Sequence, residues 1–158
     1  NISTADLSDD HREHLQVADD VFKSYGMVKA FGGEIVTVKV FEDNVLVKEQ
    51  LQKPGAGKVL VVDGGGSRRC ALLGDNVAAL ALDNGWEGII IYGCIRDSAE
   101  VNGMPVGIKA LGTHPFKSIK KGEGDVNITV RFAGVDLEPG NYVYADEDGI
   151  IVSPEVLS

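Results

Sequence analysis

The sequence is poor in cysteine and in aromatic residues, has no long apolar run, and carries fewer basic than acidic side chains. Its two cysteines, Cys70 and Cys94, form neither a C-x-x-C motif nor a pair with the spacing of zinc ligands. Disulfide frameworks and structural zinc sites need more cysteines than this. We therefore expect both cysteines to be reduced and buried, as in a cytoplasmic protein.

The shortage of positive charge excludes one class of partner. The chain has 15 Lys and Arg against 24 Asp and Glu, which gives a formal net charge of -9. Nucleic-acid backbones are bound by basic surfaces. Aromatic residues, 6% of the chain, are too few and too scattered for a base-stacking platform. We therefore expect no direct contact with nucleic acid.

The absence of a long apolar run argues against a membrane protein. No run approaches the ~18 apolar residues that a spanning helix needs. The N-terminal segment "NISTADLSDDHREH" is too polar for a secretory signal peptide. A length of 158 residues suits one hydrophobic core, so we expect a single domain over residues 1–158.

What the sequence does contain is an alternation of helix and strand patterns, punctuated by 20 glycines. Apolar periodicity and turn residues predict six elements. They are a helix over Asp6–His11 capped by Ser3 or Thr4, a strand over Gly32–Asp43, a helix over residues 45–52 capped by Asn44, a buried strand over Lys58–Gly66, a helix over Asn76–Asp83 and a buried strand over residues 88–93. The last three form a βαβ unit, which normally brings its two strands parallel.

The C-terminal third has a different pattern. Short alternating runs are separated there by Pro139-Gly140-Asn141 and by Asp146-Glu147-Asp148-Gly149, which we interpret as hairpin turns between antiparallel strands. The predicted fold class is therefore α/β, with a βαβ core flanked by antiparallel strands from both ends of the chain.

Several motifs that could carry chemistry are incomplete or favour a structural role. Gly64-Gly65-Gly66 lacks the last glycine of a dinucleotide fingerprint, and "GAGKV" lacks the Ser or Thr of a P-loop. His11 and His14 could offer two ligands on one helix face, but a solvated helix end is the stronger interpretation. Lys109 could form a Schiff base in an apolar pocket, although an exposed strand lysine is favoured. His114 precedes a proline in a loop and is given no role.

The stretch "GDNVAALALDNGWEGIIIYGCIRD" is different, because charged residues stand at both of its ends. Ligands of open α/β sheets bind beyond the carboxyl ends of the strands. Parallel strands that are joined by a crossover end on the same side of the sheet. We therefore expect Gly74–Val77, Arg96 and Asp97 to converge on one crevice.

These residue types suit a small anion and a hard metal ion. The N–H groups at the start of the predicted helix and the Arg96 guanidinium can hold a carboxylate. Asp97 is an oxygen ligand of the kind that holds Mg²⁺ together with waters and substrate oxygens. Asp75 can orient a water molecule or take a proton. An equally supported alternative is structural, with Asp75 as a helix N-cap and Arg96-Asp97 as a salt bridge at the strand end.

The pair "GD", followed by twenty residues and then "RD", resembles the signature of the class II 4-hydroxy-4-methyl-2-oxoglutarate aldolases. These enzymes share a superfamily with the regulator of ribonuclease E activity A. The segments "FGGEIVTVKVFEDN", "VLVVDGGGSRR" and "YADEDGIIVS" are similar to that regulator's family, so the resemblance covers nearly the whole chain. It implies a swivelling β/β/α-type domain and either a homotrimer or a hexamer of two stacked trimers, with sites near subunit clefts.

The resemblance also implies roles for the residues of the motif. Asp75 and Arg96 would be catalytic, and Asp97 would coordinate a divalent cation, Mg²⁺ or Mn²⁺. The residues that would bind pyruvate are Gly74, Asp75, Asn76, Val77 and Arg96. The implied reaction is metal-dependent cleavage of 4-hydroxy-4-methyl-2-oxoglutarate-type 4-hydroxy-2-oxo acids to pyruvate through a pyruvate enolate, with oxaloacetate decarboxylation as a side activity.

The same resemblance allows a function without catalysis. In this interpretation the acidic trimer binds and inhibits ribonuclease E-type RNA degradation machinery. The docking surface would consist of exposed acidic side chains, namely Glu42, Asp43, Asp146, Glu147 and Asp148. The regulator branch is expected to lack the aspartate after the arginine, so Asp97 favours the enzyme.

Overall fold

The architecture follows from the alternation of apolar residues along the strands. The computed structural model describes residues 2–158, with one curled sheet of ten strands and a separate pair of short strands. The strands are β1 (Gln16–Val17), β2 (Lys23–Tyr25), β3 (Phe31–Lys39), β4 (Lys58–Asp63), β5 (Ala71–Leu73), β6 (Gly88–Ile95), β7 (Ile108–Thr113), β8 (Asp125–Val126), β9 (Val130–Phe132), β10 (Val135–Leu137), β11 (Tyr142–Asp146) and β12 (Gly149–Ser153). The helices are α1 (Thr4–His11), α2 (Val45–Leu51), α3 (Asp75–Asp83) and α4 (Ser98–Asn102), and a 3-10 turn covers Arg12–His14.

The centre of the large sheet is parallel. β3, β4, β6 and β7 lie side by side, and β4 pairs with β6 from Val59 opposite Gly88 to Asp63 opposite Tyr92. β11, β12 and β1 continue the sheet as antiparallel strands beyond β3, and β2 pairs antiparallel with β7 at the other edge. The predicted α/β class, with a parallel βαβ core and antiparallel flanks, is confirmed.

Two clusters of buried apolar side chains lie on opposite faces of the sheet. Leu60 and Val62 of β4 belong to the cluster under α2 and α3, whereas Val59 and Val61 belong to the cluster under the β9–β10 pair. Full burial of such a side chain stabilises the fold by about 1.5–3 kcal/mol. A slip of one residue would exchange the two faces, so the burial of both sets specifies the register.

The short strand β5 is an element that the sequence pattern does not predict. Its three residues run parallel to the end of β6, with Ala71 opposite Cys94 and Leu73 opposite Ile95. β6 extends to Ile95 rather than ending near residue 93, because β5 and β7 both pair with its last residues. β5 therefore delivers the start of α3 to the carboxyl end of β6.

One of the two predicted hairpin turns is wrong. Asp146–Gly149 does connect the paired strands β11 and β12. Pro139-Gly140-Asn141 instead leads from β10, in the two-stranded sheet, to β11 in the large sheet. The other hairpin lies between β9 and β10, around Ala133-Gly134. Proline and glycine specify a turn, but long-range contacts decide which strands pair on either side of it.

The interpretation of Lys109 as an exposed strand lysine is also wrong. Lys109 is only 5% exposed, because β7 is an inner strand between β6 and β2. Burial lowers the pKa of Lys109, while the negative charges of Asp146, Glu147 and Asp20 act in the opposite direction. The burial of Lys109 cannot be predicted from the sequence, since a single lysine between apolar residues fits an edge strand equally well.

The helix starts agree with the sequence in part. Ser3 caps α1, and its Oγ accepts the N–H of Asp6 at 3.2 Å. Asn44 stands at the start of α2 without capping it, because Asp43 Oδ1 accepts the N–H of Val45 at 3.1 Å. His14 lies beyond the end of α1, on the exposed 3-10 turn. The two histidines therefore lie at the end of a helix and do not share one helix face, in agreement with the interpretation that the sequence favours.

The remaining expectations concern thiols, acidic residues and membranes. Cys70 and Cys94 are both buried and free, as predicted. Glu42 and Asp43 are not free acidic surface: Glu42 is paired with Arg69, and Asp43 is 2% exposed. Asp146 is half-buried and bonded to Thr4, so that only Glu147 and Asp148 of the predicted acidic surface are exposed. No helix in residues 2–158 is long and apolar enough to cross a membrane.

Candidate active site

A crevice of about 510 Å³ opens where β5 and β6 end and α3 begins. Pockets of this size hold small organic ligands. Its lining includes all six residues that the sequence predicts to converge, namely Gly74, Asp75, Asn76, Val77, Arg96 and Asp97. The rest of the lining comes from α2 and from residues 117–120, which follow β7, and Lys117 forms a bridge with Ala71 at the start of β5. The expected convergence at the carboxyl ends of two neighbouring strands is therefore observed.

Gly74 makes the close approach of the two halves of the motif possible. It stands immediately before α3 in an extended conformation, with φ -127° and ψ -163°. A Cβ atom added to Gly74 would lie 2.5 Å from Oδ2 of Asp97. A Cβ there forces the Asp97 carboxylate to move, so glycine allows this close approach for steric reasons and not for backbone freedom.

The Asp97 carboxylate lies against the start of α3. Its Oδ2 accepts the N–H of Asp75 at 3.1 Å. Asp97 itself has φ 56° and ψ 39°, in the left-handed region. After glycine, Asn and Asp are the residues that adopt this conformation most readily. This backbone conformation turns the chain out of β6 and directs the carboxylate toward the neighbouring helix end.

This geometry contradicts both parts of the structural alternative, in which Asp75 is the N-cap and Arg96 is paired with Asp97. Gly74, not Asp75, is the N-cap residue of α3, and the carboxylate at the helix end is that of Asp97. Within residues 2–158, ion pairs join Arg69 to Glu42 and Arg131 to Asp136, and none joins Arg96 to Asp97. Arg96 Nη1 instead donates to the Pro115 carbonyl over 3.5 Å. The guanidinium is therefore held weakly at the crevice wall.

Three lysines in the lining are site residues that the sequence analysis does not identify. Lys48, Lys117 and Lys120 line the crevice, and Lys120 Nζ donates to Oδ1 of Asn44 at 2.8 Å. Together with Arg96 they give the lining four cationic side chains against the three carboxylates of Glu49, Asp75 and Asp97, in a chain whose net charge is -9. The signal that could have found two of them is the basic run "KSIKK" in an acidic sequence. The arrangement favours an anionic ligand.

A buried carboxylate holds the segment that carries this run. Asp43 Oδ2 accepts the N–H groups of Lys121, Gly122 and Glu123 at 2.9, 2.9 and 3.2 Å. Burial raises the pKa of Asp43, but these hydrogen bonds and that from Val45 outweigh it, so the pKa lies below its usual value. Asp43 stays charged at neutral pH and fixes residues 117–123 beside α2.

The donor set of the crevice can be compared with the needs of a metal ion. Among the residues that the structure describes, no three His, Cys, Asp or Glu side chains are placed to enclose a metal. Zinc normally takes three or four such ligands, whereas Mg²⁺ is held by one or two carboxylates together with waters and ligand oxygens. Asp97, with Asp75 in the same crevice, fits a hydrated Mg²⁺ or Mn²⁺ and does not fit a structural zinc ion.

The other chemically interesting side chains lie elsewhere. Lys109 pairs across the sheet with Ile90, which belongs to the apolar cluster on the face away from α3. His114 accepts the N–H of Phe116 through Nδ1 at 3.1 Å and does not line the crevice. Neither residue lines the crevice. This agrees with the sequence analysis, which gives His114 no role and favours a structural role for Lys109.

Comparison with known proteins identifies the family. A family model for RraA-like proteins, described as Aldolase/RraA, matches residues 4–152. The chain belongs to the RraA-like family. A relative from Hahella chejuensis is 57% identical over 155 residues, covering 98% of this chain and 94% of its own. One from Aromatoleum aromaticum is 56% identical over 154 residues, covering 98% and 97%. Both carry the provisional name 4-hydroxy-4-methyl-2-oxoglutarate aldolase.

Solved structures of RraA-like chains carry other names on the same fold. The RNA-processing inhibitor RraA from Thermus thermophilus superposes with a TM-score of 0.96 at 45% identity, covering 100% of this chain and 96% of its own. A Geobacillus kaustophilus protein described as an S-adenosylmethionine: 2-dimethylmenaquinone methyltransferase superposes with a TM-score of 0.96 at 54% identity, covering 98% and 96%. Since similar chains are named for three activities, the fold by itself does not decide the function.

Proposed function

We propose that this RraA-like protein is a divalent-metal-dependent lyase. It would cleave 4-hydroxy-4-methyl-2-oxoglutarate-type 4-hydroxy-2-oxo acids to pyruvate and decarboxylate oxaloacetate as a side activity. The observation that carries the proposal is that Asp75, Arg96 and Asp97 lie together in one crevice, which lysine side chains also line. The aldolase names of relatives above 50% identity support it.

Binding of the 2-oxo acid is assigned to the start of α3 and to Arg96. Backbone N–H groups at a helix N-terminus carry partial positive charge and suit a carboxylate. Arg96 can add two parallel hydrogen bonds from its guanidinium. Asn76 and Val77 shape the same end of the crevice. The 2-oxo acid is therefore held by its carboxylate and keto oxygens beside Asp97.

Asp97 would hold the divalent cation, Mg²⁺ or Mn²⁺. When bound, that cation would supply Lewis-acid polarisation of the keto group of the 2-oxo acid. Asp97 contributes one carboxylate, and its backbone turn directs this group into the crevice. The hydrogen bond from the Asp75 N–H would keep this carboxylate oriented toward a bound cation.

Asp75 is assigned the proton transfer. Acting through a water molecule, its carboxylate takes the proton of the C4 hydroxyl, which becomes the carbonyl of one product. The C3–C4 bond breaks, and its electron pair forms the enolate of pyruvate. Arg96 stabilises the negative charge that develops on the enolate oxygen. A proton returns to C3 and completes pyruvate. Loss of carbon dioxide from oxaloacetate generates the same enolate, so one site serves both reactions.

The experiment that tests the proposal is a pyruvate-release assay. The purified protein is given 4-hydroxy-4-methyl-2-oxoglutarate or oxaloacetate, with Mg²⁺, with Mn²⁺ or with EDTA. Pyruvate release that needs the cation supports the proposal. If pyruvate release survives EDTA and borohydride inactivates the protein in the presence of the compound, the result would instead indicate a Schiff base between a lysine and the 2-oxo acid. No release from either compound would reject the lyase.

The second candidate is a regulator that inhibits ribonuclease E-type machinery. The specific observation in its favour is the RNA-processing inhibitor from Thermus thermophilus, which matches this chain along its whole length at 45% identity. In this function the contact with the nuclease is made by the surface, and the crevice is not needed. The two functions can be separated by substitution, as described in the Discussion.

We also propose a homotrimer, two copies of which can stack into a hexamer, as the working assembly. Support comes from exposed apolar side chains: Phe116 and Ile119, which flank the crevice residues Lys117 and Ser118, are 69% and 53% exposed, and Phe41, which lines a different pocket, is 56% exposed. Exposed apolar surface of this kind is usually covered by a partner. Sedimentation equilibrium would distinguish the trimer and the hexamer from a monomer.

A further inference from the structure

Ser118 has a buried hydroxyl without a partner. The residue is 4% exposed. Of the buried side-chain nitrogen and oxygen atoms in residues 2–158, its Oγ alone has no hydrogen-bonding group within reach. Burial removes a hydroxyl from water, and the fold normally compensates with a hydrogen bond. An unpaired group of this kind in a native protein therefore needs an explanation.

The position of Ser118 supplies one. It lines the crevice together with Lys117 and Lys120, and its neighbour Lys117 forms a bridge with Ala71 of β5. Asp43 holds the following residues through three backbone N–H groups, so the segment is fixed in place. A serine side chain has three staggered rotamers, and rotation about Cα–Cβ moves Oγ without any change in the backbone. Ser118 can therefore turn its hydroxyl toward a ligand in the crevice.

We propose that Ser118 is a further ligand-binding residue of this site. When an anionic ligand enters, the hydroxyl of Ser118 donates a hydrogen bond to one of its carboxylate or enolate oxygens. The chemistry of the lining favours an anion, since the four cationic side chains of Lys48, Lys117, Lys120 and Arg96 outnumber the carboxylates of Glu49, Asp75 and Asp97. A hydrogen bond to a charged oxygen is stronger than one between neutral groups. The inference rests on the proposed lyase function for the identity of the ligand.

A merely structural serine would behave differently. Ser153 provides the matched control, because it is also buried, at 1% exposure, and its Oγ accepts the N–H of Glu155 at 3.1 Å. Removing the Ser153 hydroxyl leaves a donor unpaired and should lower the melting temperature. Removing the Ser118 hydroxyl leaves nothing unpaired, so S118A should melt at or above the wild-type temperature. The same change should weaken ligand binding.

The test measures binding and stability on the full chain. Oxalate, a planar dianion with the shape of the pyruvate enolate, is titrated by calorimetry in the presence of Mg²⁺ into wild type, S118A, S118C and S153A. We expect the dissociation constant of S118A to rise by about tenfold, as for loss of a hydrogen bond to a charged group. S118C should be equally weakened, since a thiol is a poor donor, and S153A should bind as wild type.

Several results would overturn the inference. They are an S118A dissociation constant within twofold of wild type, full binding by S118C, a fall in the S118A melting temperature equal to that of S153A, or no oxalate binding by the wild-type protein. The pyruvate-release assay is read separately. If wild type releases pyruvate and S118A binds oxalate normally, only the role of Ser118 is rejected. If wild type releases none but S118A loses oxalate affinity, the lyase is rejected and the binding role of Ser118 stands.

Discussion

At the scale of single residues, Asp97 combines two tasks. Its carboxylate accepts the N–H of Asp75 at the start of α3, and it is the proposed cation ligand. The two tasks are compatible, because a carboxylate has two oxygens and about four acceptor positions. Substitution must therefore separate the loss of the helix contact from the loss of the charge.

Two substitutions of Asp97 make that separation. Asp97→Asn keeps an oxygen for the Asp75 N–H but removes the charge, whereas Asp97→Ala removes both. We expect both variants to lose cation-dependent pyruvate release by at least a hundredfold, because the hard anionic ligand is gone. Only Asp97→Ala should also unfold at lower temperature, since a lost helix-end contact costs about 1 kcal/mol. Steady-state kinetics and thermal denaturation are the measurements. Activity of Asp97→Asn near that of wild type would remove Asp97 from the role of metal ligand.

Gly74 is the second residue whose role is steric and sharply testable. In Gly74→Ala the new Cβ would lie 2.5 Å from Asp97 Oδ2, so the carboxylate has to move. We expect pyruvate release to fall by about tenfold or more, because displacement of a site group by about 1 Å can cost a hundredfold. Gly149→Ala is the matched control, since no atom lies within 4 Å of a Cβ added there. Equal activity of both variants would contradict the close approach between Gly74 and Asp97.

At the scale of elements, the crevice depends on two irregular pieces of chain. β5 brings Gly74 to the end of β6, where the N–H of Arg96 donates to the Leu73 carbonyl at 2.9 Å. The second piece, residues 117–123, has little regular structure of its own and is held by the buried carboxylate of Asp43. Loss of the Asp43 contacts should therefore affect stability and ligand binding together.

Asp43→Asn tests this connection. The side-chain amide presents donors to backbone N–H groups, so we expect the free energy of unfolding to fall by about 1–3 kcal/mol at pH 7. KM should rise more than kcat falls, because the change displaces Lys117, Ser118 and Lys120 and leaves Arg96 and Asp97 in place. Asp9→Asn, at an exposed acid, is the control.

The stability difference between wild type and Asp43→Asn should depend on pH in a defined direction. The pKa of Asp43 in the folded protein is lowered, so its contribution is complete above the unfolded value of about 3.9 and is lost as the pH falls through the lower folded value. Chemical denaturation from pH 7 to pH 2 should show a constant difference that shrinks only below about pH 4. A difference that disappears near pH 6 would contradict the assignment to Asp43.

At the scale of the whole molecule, the net charge of -9 is compatible with both proposed functions. What separates them is where the acidic groups lie. Glu42, Asp43 and Asp146 are engaged in internal contacts, which leaves Glu147 and Asp148 as the exposed part of the expected acidic surface. Binding through exposed charges weakens steeply with salt, whereas chemistry inside a crevice responds far less.

One pair of variants distinguishes the regulator from the lyase. Asp97→Ala should abolish pyruvate release and leave any ribonuclease binding unchanged. The double variant Glu147→Lys, Asp148→Lys should do the opposite, because charge reversal at an exposed turn disrupts electrostatic docking but does not reach the crevice. Binding is measured by surface plasmon resonance at 50 and 300 mM salt. If neither compound yields pyruvate and wild type inhibits the nuclease in a salt-sensitive way, the protein is a regulator.

The sequence by itself determined the α/β class, the parallel βαβ core and the convergence of Gly74–Val77, Arg96 and Asp97. These features depend on local periodicity and on the rule that parallel strands end on one side of a sheet. Only the tertiary structure decided the pairing around Pro139-Gly140-Asn141 and the burial of Lys109. The tertiary structure also revealed that Ser118 lines the crevice together with Lys48, Lys117 and Lys120. The physical reason is that pairing, burial and hydrogen-bond partners depend on residues far apart in the chain: Asp43 and its partners Lys121, Gly122 and Glu123 are separated by 78 to 80 positions.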